Sequence, residues 1–106
     1  MNKFLENGSR VDFDAVFTGD DDAAIGVLRS LQDHHLDVPN DIGVVGFDDL
    51  GFAPFLNPPL TTVRAPTESV GRIATERLFG LLENQSSDEV VILPTEIIFR
   101  RSCGCN

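Results

Sequence analysis

The stretch Ile42–Asp49, Ile-Gly-Val-Val-Gly-Phe-Asp-Asp, constrains the fold more than any other part of the chain. Its first half is short, apolar and rich in β-branched residues. Val38-Pro39-Asn40-Asp41 precedes it, and it stops at two carboxylates. Such a run reads as a strand covered on both faces, the setting of a parallel sheet flanked by helices. In open parallel sheets, ligands bind at the carboxyl edge of the strands. Asp48 and Asp49 therefore stand where α/β proteins do their work.

The flanking segments alternate in type. Asp14–Phe17 reads as a short buried strand, with Ala15–Phe17 as its centre, and runs into the turn Thr18-Gly19-Asp20. Asp20, Asp21 and Asp22 then surround a helix N-terminus, where negative charge offsets the macrodipole. The spacing of Ala24, Val27, Leu28 and Leu31 predicts a helix over Asp21–His34 that packs on the sheet. A Gly/Pro-rich passage follows from Gly51 to Pro59, too broken for more than a helical turn or two. Thr61–Val63 is a third strand. Pro66 opens a second long helix with Val70, Ala74, Leu78 and Leu81 on one face. Asn84–Asp88 is a polar loop, and Val90–Leu93 and Glu96–Arg100 are extended segments broken by Pro94. Lys3–Asn7 has the look of a helix tail stopped by Gly8. Strand–helix–strand alternation predicts an α/β fold with a parallel open sheet and right-handed crossovers. The turns after Phe17 and Phe47 then share one edge, so Asp20, Asp21, Asp48 and Asp49 face one crevice.

Composition excludes several classes. A chain of 106 residues is one domain or part of one. Its net charge of −9 is the wrong sign for gripping nucleic acid or an anionic membrane. No apolar run approaches the ~18 residues of a membrane span. The N-terminus lacks the basic and apolar regions of a secretory signal. The two cysteines, Cys103 and Cys105, form no disulfide framework, which fits a cytoplasmic setting. No third ligand stands at metal-binding spacing from His34 and His35, which read as an exposed helix end. No Ser/His/Asp or Cys/His arrangement points to an enzyme. A phospho-receiver would want a lysine at a later strand end, and the only lysine is Lys3. No cofactor is implied.

Four pieces recur in a recognisable order. They are Val16-Phe17-Thr18-Gly19-Asp20-Asp21-Asp22-Ala23-Ala24-Ile25-Gly26, then Val38 through Asp49, then Pro58-Pro59-Leu60-Thr61-Thr62-Val63-Arg64, and finally Leu93-Pro94 with Arg101-Ser102-Cys103-Gly104. From about Asp14 to Gly104 the chain resembles the C-terminal part of the effector-binding core of lactose-repressor/galactose-repressor (LacI/GalR) family transcription regulators. The resemblance implies a partial periplasmic-binding-protein-like lobe, residues 1–106 being a C-terminal fragment of the effector-binding domain. The helix within 66–84 would belong to the other lobe of an intact protein. It also implies a sugar-like or nucleobase-like effector, a homodimer, and operator DNA read by a headpiece absent from this chain.

Site residues carry over by position. Asp48 matches an effector-contacting acid. Asp20 stands where the family commonly has Asn, and an ionised Asp only accepts hydrogen bonds. Thr67 replaces an aromatic that stacks on the effector in some members. Ala24, Val27, Leu28, Phe52 and Phe55 match the dimer interface. The same acids also fit simpler roles: Asp20–Asp22 as a helix cap, Asp48 as a turn acid, and Asp49 bonding nearby backbone N–H groups. A sugar-binding periplasmic protein of the same fold is the alternative function. The Gly-Phe-Asp-Asp and Arg-Ser-Cys-Gly patterns favour the regulator.

Overall fold

A computed structural model describes residues 12–85 and 90–105. Its elements are β1 (Ala15–Phe17), α1 (Asp21–Asp33), β2 (Gly43–Phe47), a 3₁₀ turn (Ala53–Phe55), β3 (Thr61–Arg64), α2 (Thr67–Leu82) and β4 (Glu96–Ile98). They form a sheet of order β1-β2-β3-β4. β1 pairs with β2 in parallel, Val16 opposite Val44, and β2 pairs with β3 in parallel, Val45 opposite Thr61. The parallel pairing and the helix on the sheet are as the alternation predicts. The helix tail expected at Lys3–Asn7 and most of the Asn84–Asp88 loop lie outside the described residues.

Two expectations need correction. β1 is not buried: Ala15 and Phe17 are exposed and Val16 is half-buried. It sits at the end of the sheet order, so only one neighbour covers it. Val90–Leu93 forms no strand, and the strand after it begins only at Glu96, beyond Pro94.

The chain divides into two compact units, Met1–Arg64 with Ile97–Asn106, and Ala65–Glu96. The core of the first unit is Ala24 and Leu31 of α1, Ile42 and Val44 of the central strand, Ala53 of the 3₁₀ turn, and Leu60. Val16, Val27, Leu28, Leu36 and Leu56 pack against it. Full burial of a large aliphatic side chain, as at Leu31, Ile42, Val44 and Leu60, stabilises the unit by about 1.5–3 kcal/mol each.

Two glycines let other chain segments come close to β2. A Cβ on Gly43 would lie 3.3 Å from the Cys103 carbonyl oxygen, and one on Gly46 would overlap the Asp21 carboxylate. Glycine inside a strand often marks such an approach.

Ser102 closes the other end of the sheet. Its hydroxyl donates to Val44 O at 2.6 Å and accepts the Thr61 N–H at 2.8 Å. Its carbonyl accepts the Val44 N–H at 2.8 Å. The residue thus joins the first rungs of β2 and β3.

The second unit is built differently. Its 16-residue helix α2 has no buried residue. The apolar stripe read from the sequence is open, with Val70, Leu78 and Leu81 exposed. Val70, Ile73 and Ala74 line a shallow hollow together with Val91 and Leu93 of the same unit.

Candidate functional site

The carboxyl edge of the sheet carries the acids. Two parallel strands end at Phe17 and Phe47, so the turns that follow them lie at the same edge. Thr18 sets the first turn. Its backbone N–H donates to Val45 O at 2.9 Å and its buried hydroxyl to Asp20 O at 2.7 Å. Asp20 then caps α1, its Oδ1 accepting the Ala23 N–H at 2.7 Å. One carboxylate oxygen of Asp20 is therefore committed to the helix.

Asp20, Asp21 and Asp22 stand at the start of α1 as the sequence predicts, but Asp21 does not face an open crevice: it is fully buried. Its Oδ2 accepts the Leu50 N–H at 2.8 Å and its Oδ1 the Thr62 hydroxyl at 2.7 Å. The absent side chain of Gly46 makes room for it. Asp21 thus ties the start of α1 to the turn after β2 and to the middle of β3.

That turn is sharp. Asp48 and Asp49 both have positive φ, 107° and 50°. Asp49 is at the left-handed helical region, which aspartate enters more readily than most side chains, whereas Asp48 lies beyond it and is strained; such strained positions cluster at functional sites. The Asp48 N–H donates to Val63 O at 2.8 Å, and its side chain is exposed.

The Asp49 side chain is only 8% exposed and turns inward. Its Oδ2 pairs with the Arg64 guanidinium at 2.6 Å and its Oδ1 with that of Arg100 at 2.9 Å. Arg100 also donates to Leu60 O at 2.8 Å. The structural role expected for Asp49 therefore holds, but its carboxylate bonds guanidinium groups rather than backbone N–H. Burial works to raise the Asp49 pKa. The hydrogen bonds and charges of Arg100 and Arg64 outweigh it and hold the carboxyl below the usual range.

Asp48 therefore stands on a fixed frame. Asp49 beside it is clamped by two arginines, and the Leu50 N–H is held by a buried carboxylate. An exposed carboxylate so placed can accept hydrogen bonds from hydroxyl donors such as those of a sugar. The partners that hold this frame escaped the sequence reading. The one local signal was Gly46, whose place in a buried strand marks a close approach. Among the described residues, no group of three His, Cys, Asp or Glu side chains is placed to hold a metal ion.

The expected interface residues divide by exposure. Ala24 is fully buried against its own sheet, so its side chain has no surface left for a partner. Val27 and Leu28 are partly buried, Phe52 is half-buried and Phe55 is 86% exposed. A hollow lined by Ile25, Leu28, Arg29, Leu36, Leu56 and Pro58 opens beside them. Neither Asp20 nor Asp48 lines that hollow.

The parallel α/β sheet, with Asp20 and Asp48 in the turns at its carboxyl edge, has the architecture in which ligands commonly bind at that edge. Residues 3–103 match the periplasmic binding protein-like domain, and the chain belongs to that family. Within the family its similarity is to LacI-type regulators. It is 43% identical over 89 residues to the lactose operon repressor of Rhizobium radiobacter, covering 84% of this chain and 79% of that one. Two of the solved structures that share the fold illustrate the similarity. One is a LacI family transcriptional regulator from Lactobacillus casei with bound sucrose, 39% identical with a TM-score of 0.78, matching 96% of this chain and 38% of that one. The other is the lac repressor dimer bound to operator and an anti-inducer, 28% identical with a TM-score of 0.86, matching 96% of this chain and 35% of that one. Against two further curated relatives the chain spans 30% of their length.

Proposed function

We propose that this chain is the effector-sensing and dimerisation segment of a cytoplasmic, LacI-type transcriptional repressor. Its effector is a small polyhydroxylated molecule of the sugar class. The observation that carries the reading is the framed, exposed Asp48 at the carboxyl edge, in a chain similar to a sucrose-bound regulator. Asp48 accepts hydrogen bonds from effector hydroxyls, and the uncommitted oxygen of Asp20 contributes from the neighbouring turn. Operator DNA is contacted by a headpiece and not by this chain, whose net charge is −9.

In a full-length regulator carrying this segment, Asp48→Ala should weaken binding of the cognate sugar. Loss of a charge-assisted hydrogen bond costs about 1.5–3 kcal/mol, or about 10- to 100-fold in Kd. Calorimetry with sucrose and a panel of other sugars reads it. Unchanged affinity in a folded variant removes Asp48 from the site.

The dimer surface on this reading centres on Phe55, Phe52, Leu28 and the exposed part of Val27, with Ile25 beside them. An apolar cluster of this kind is characteristic of an interface. Phe55→Asp should weaken self-association at least about tenfold, a cost of about 1.4 kcal/mol. Sedimentation across a dilution series measures it, and an unaltered dimerisation constant would exclude this face.

A further inference from the structure

The C-terminal Cys103-Gly104-Cys105 segment is unused by the sugar site, and its geometry is specific. Cys103 is held against the sheet. The preceding residue, Ser102, is bonded to both β2 and β3, and the Cys103 carbonyl lies against the bare face of Gly43. The Cys103 sulfur receives two donors, the Thr61 hydroxyl at 3.1 Å and the Cys105 N–H at 3.2 Å.

The Thr61 hydroxyl has little freedom to turn elsewhere. Its oxygen already accepts the Arg100 N–H at 2.8 Å, which directs its own proton toward the sulfur. Gly104 supplies the bend, with φ of +72°, that brings the Cys105 N–H back over Cys103. The Cys105 thiol itself lies 3.6 Å from the Cys103 carbonyl oxygen. Cys103 is half-buried and Cys105 exposed.

We propose that Cys103 and Cys105 form a thiol–disulfide exchange site, with Cys103 the attacking sulfur and Cys105 the resolving one. The co-reactant is a low-molecular-weight disulfide. The Cys103 thiolate attacks one sulfur of that disulfide. A Cys103–sulfur bond forms, the disulfide bond breaks, and the first small thiolate leaves. The Cys105 thiolate then attacks the Cys103 sulfur and expels the second small thiolate. The protein thiols lose two protons and two electrons, and the small disulfide gains them as two thiols. A ring closed across Gly104 remains.

The electrostatics agree with this order. Burial works to raise the Cys103 thiol, but the donors from Cys105 and Thr61 outweigh it and bring it below its ordinary 9.0. The Cys105 thiol is pushed up, first by its hydrogen bond to Cys103. The more ionised sulfur attacks first.

The test treats the reduced full chain with excess oxidised glutathione and follows intact mass in acid-quenched samples. The wild type should end two hydrogens lighter with no adduct. Cys105→Ser should hold one glutathione on Cys103. Cys103→Ser should react more slowly than Cys105→Ser, through Cys105. Thr61→Val should slow the first step severalfold, and Thr61→Ser should restore it. A wild type that ends with two adducts, or single-cysteine variants reacting at equal rates, overturns the proposal. Should Thr61→Val fail to fold, the two cysteine variants decide between these outcomes.

Discussion

Asp21→Ala is expected to cause the largest loss of stability of any exchange at the sheet edge. The substitution removes a fully buried carboxylate and leaves two donors without an acceptor, the Leu50 N–H and the Thr62 hydroxyl. Each buried group left unsatisfied costs about 1–3 kcal/mol, so the two together cost about 2–6 kcal/mol. Domains of this size have only about 5–15 kcal/mol in total. At about 4–8 °C per kcal/mol, the melting temperature should fall by roughly 8 °C or more. Asp21→Asn keeps the shape and one acceptor and should fall between the variant and the parent. Thermal unfolding followed by circular dichroism measures both. If Asp21→Ala melts within a degree or two of the parent, the carboxylate is not what holds the turn.

Second in expected effect is the Asp49 clamp. Asp49→Ala leaves Arg100, only 15% exposed, without its carboxylate partner. Breaking such a pair by removing one member costs about 3 kcal/mol. The clamp also has a pH signature. The Asp49 carboxyl titrates below its ordinary 3.8 when folded. As the pH falls, the unfolded chain therefore takes up this proton before the folded one does. The contribution is complete above the ordinary carboxylate range. It declines as the pH passes through 3.8 and is gone below the folded value. Asp49→Asn should flatten that part of the stability–pH curve. Urea unfolding between neutral and acid pH tests it, and a variant whose acid limb retains the parent's slope would assign the effect to other acids.

How much of this was legible in the sequence varies from residue to residue. Helix α1 was expected over Asp21–His34 and runs over Asp21–Asp33, because its apolar spacing is local. The third strand was expected at Thr61–Val63 and spans Thr61–Arg64. The short apolar runs carried the parallel sheet. Asp21 could not be read the same way. Its partners lie 29 and 41 residues away, and nothing near it distinguishes it from Asp20 or Asp22. The arginines of Asp49 are also remote, 15 and 51 residues along the chain. Ala24 shows the opposite failure. Its helix matched an interface by position, yet the same 3.6-residue period that predicts the helix turns this residue to the sheet. Family position named the surface, and only packing could say which side chains remained on it.

The Ser102 hydroxyl carries one more consequence. It fills a rung between strands that lie 58 and 41 positions earlier in the chain. A ribosome makes those strands first, at about 5–20 residues per second. Until residue 102 has cleared the exit tunnel, the Thr61 N–H has no serine to meet and the Val44 carbonyl no hydroxyl to accept. The nascent sheet therefore waits with that rung unfilled, and the segment carrying Ser102 acts as its latch once it emerges.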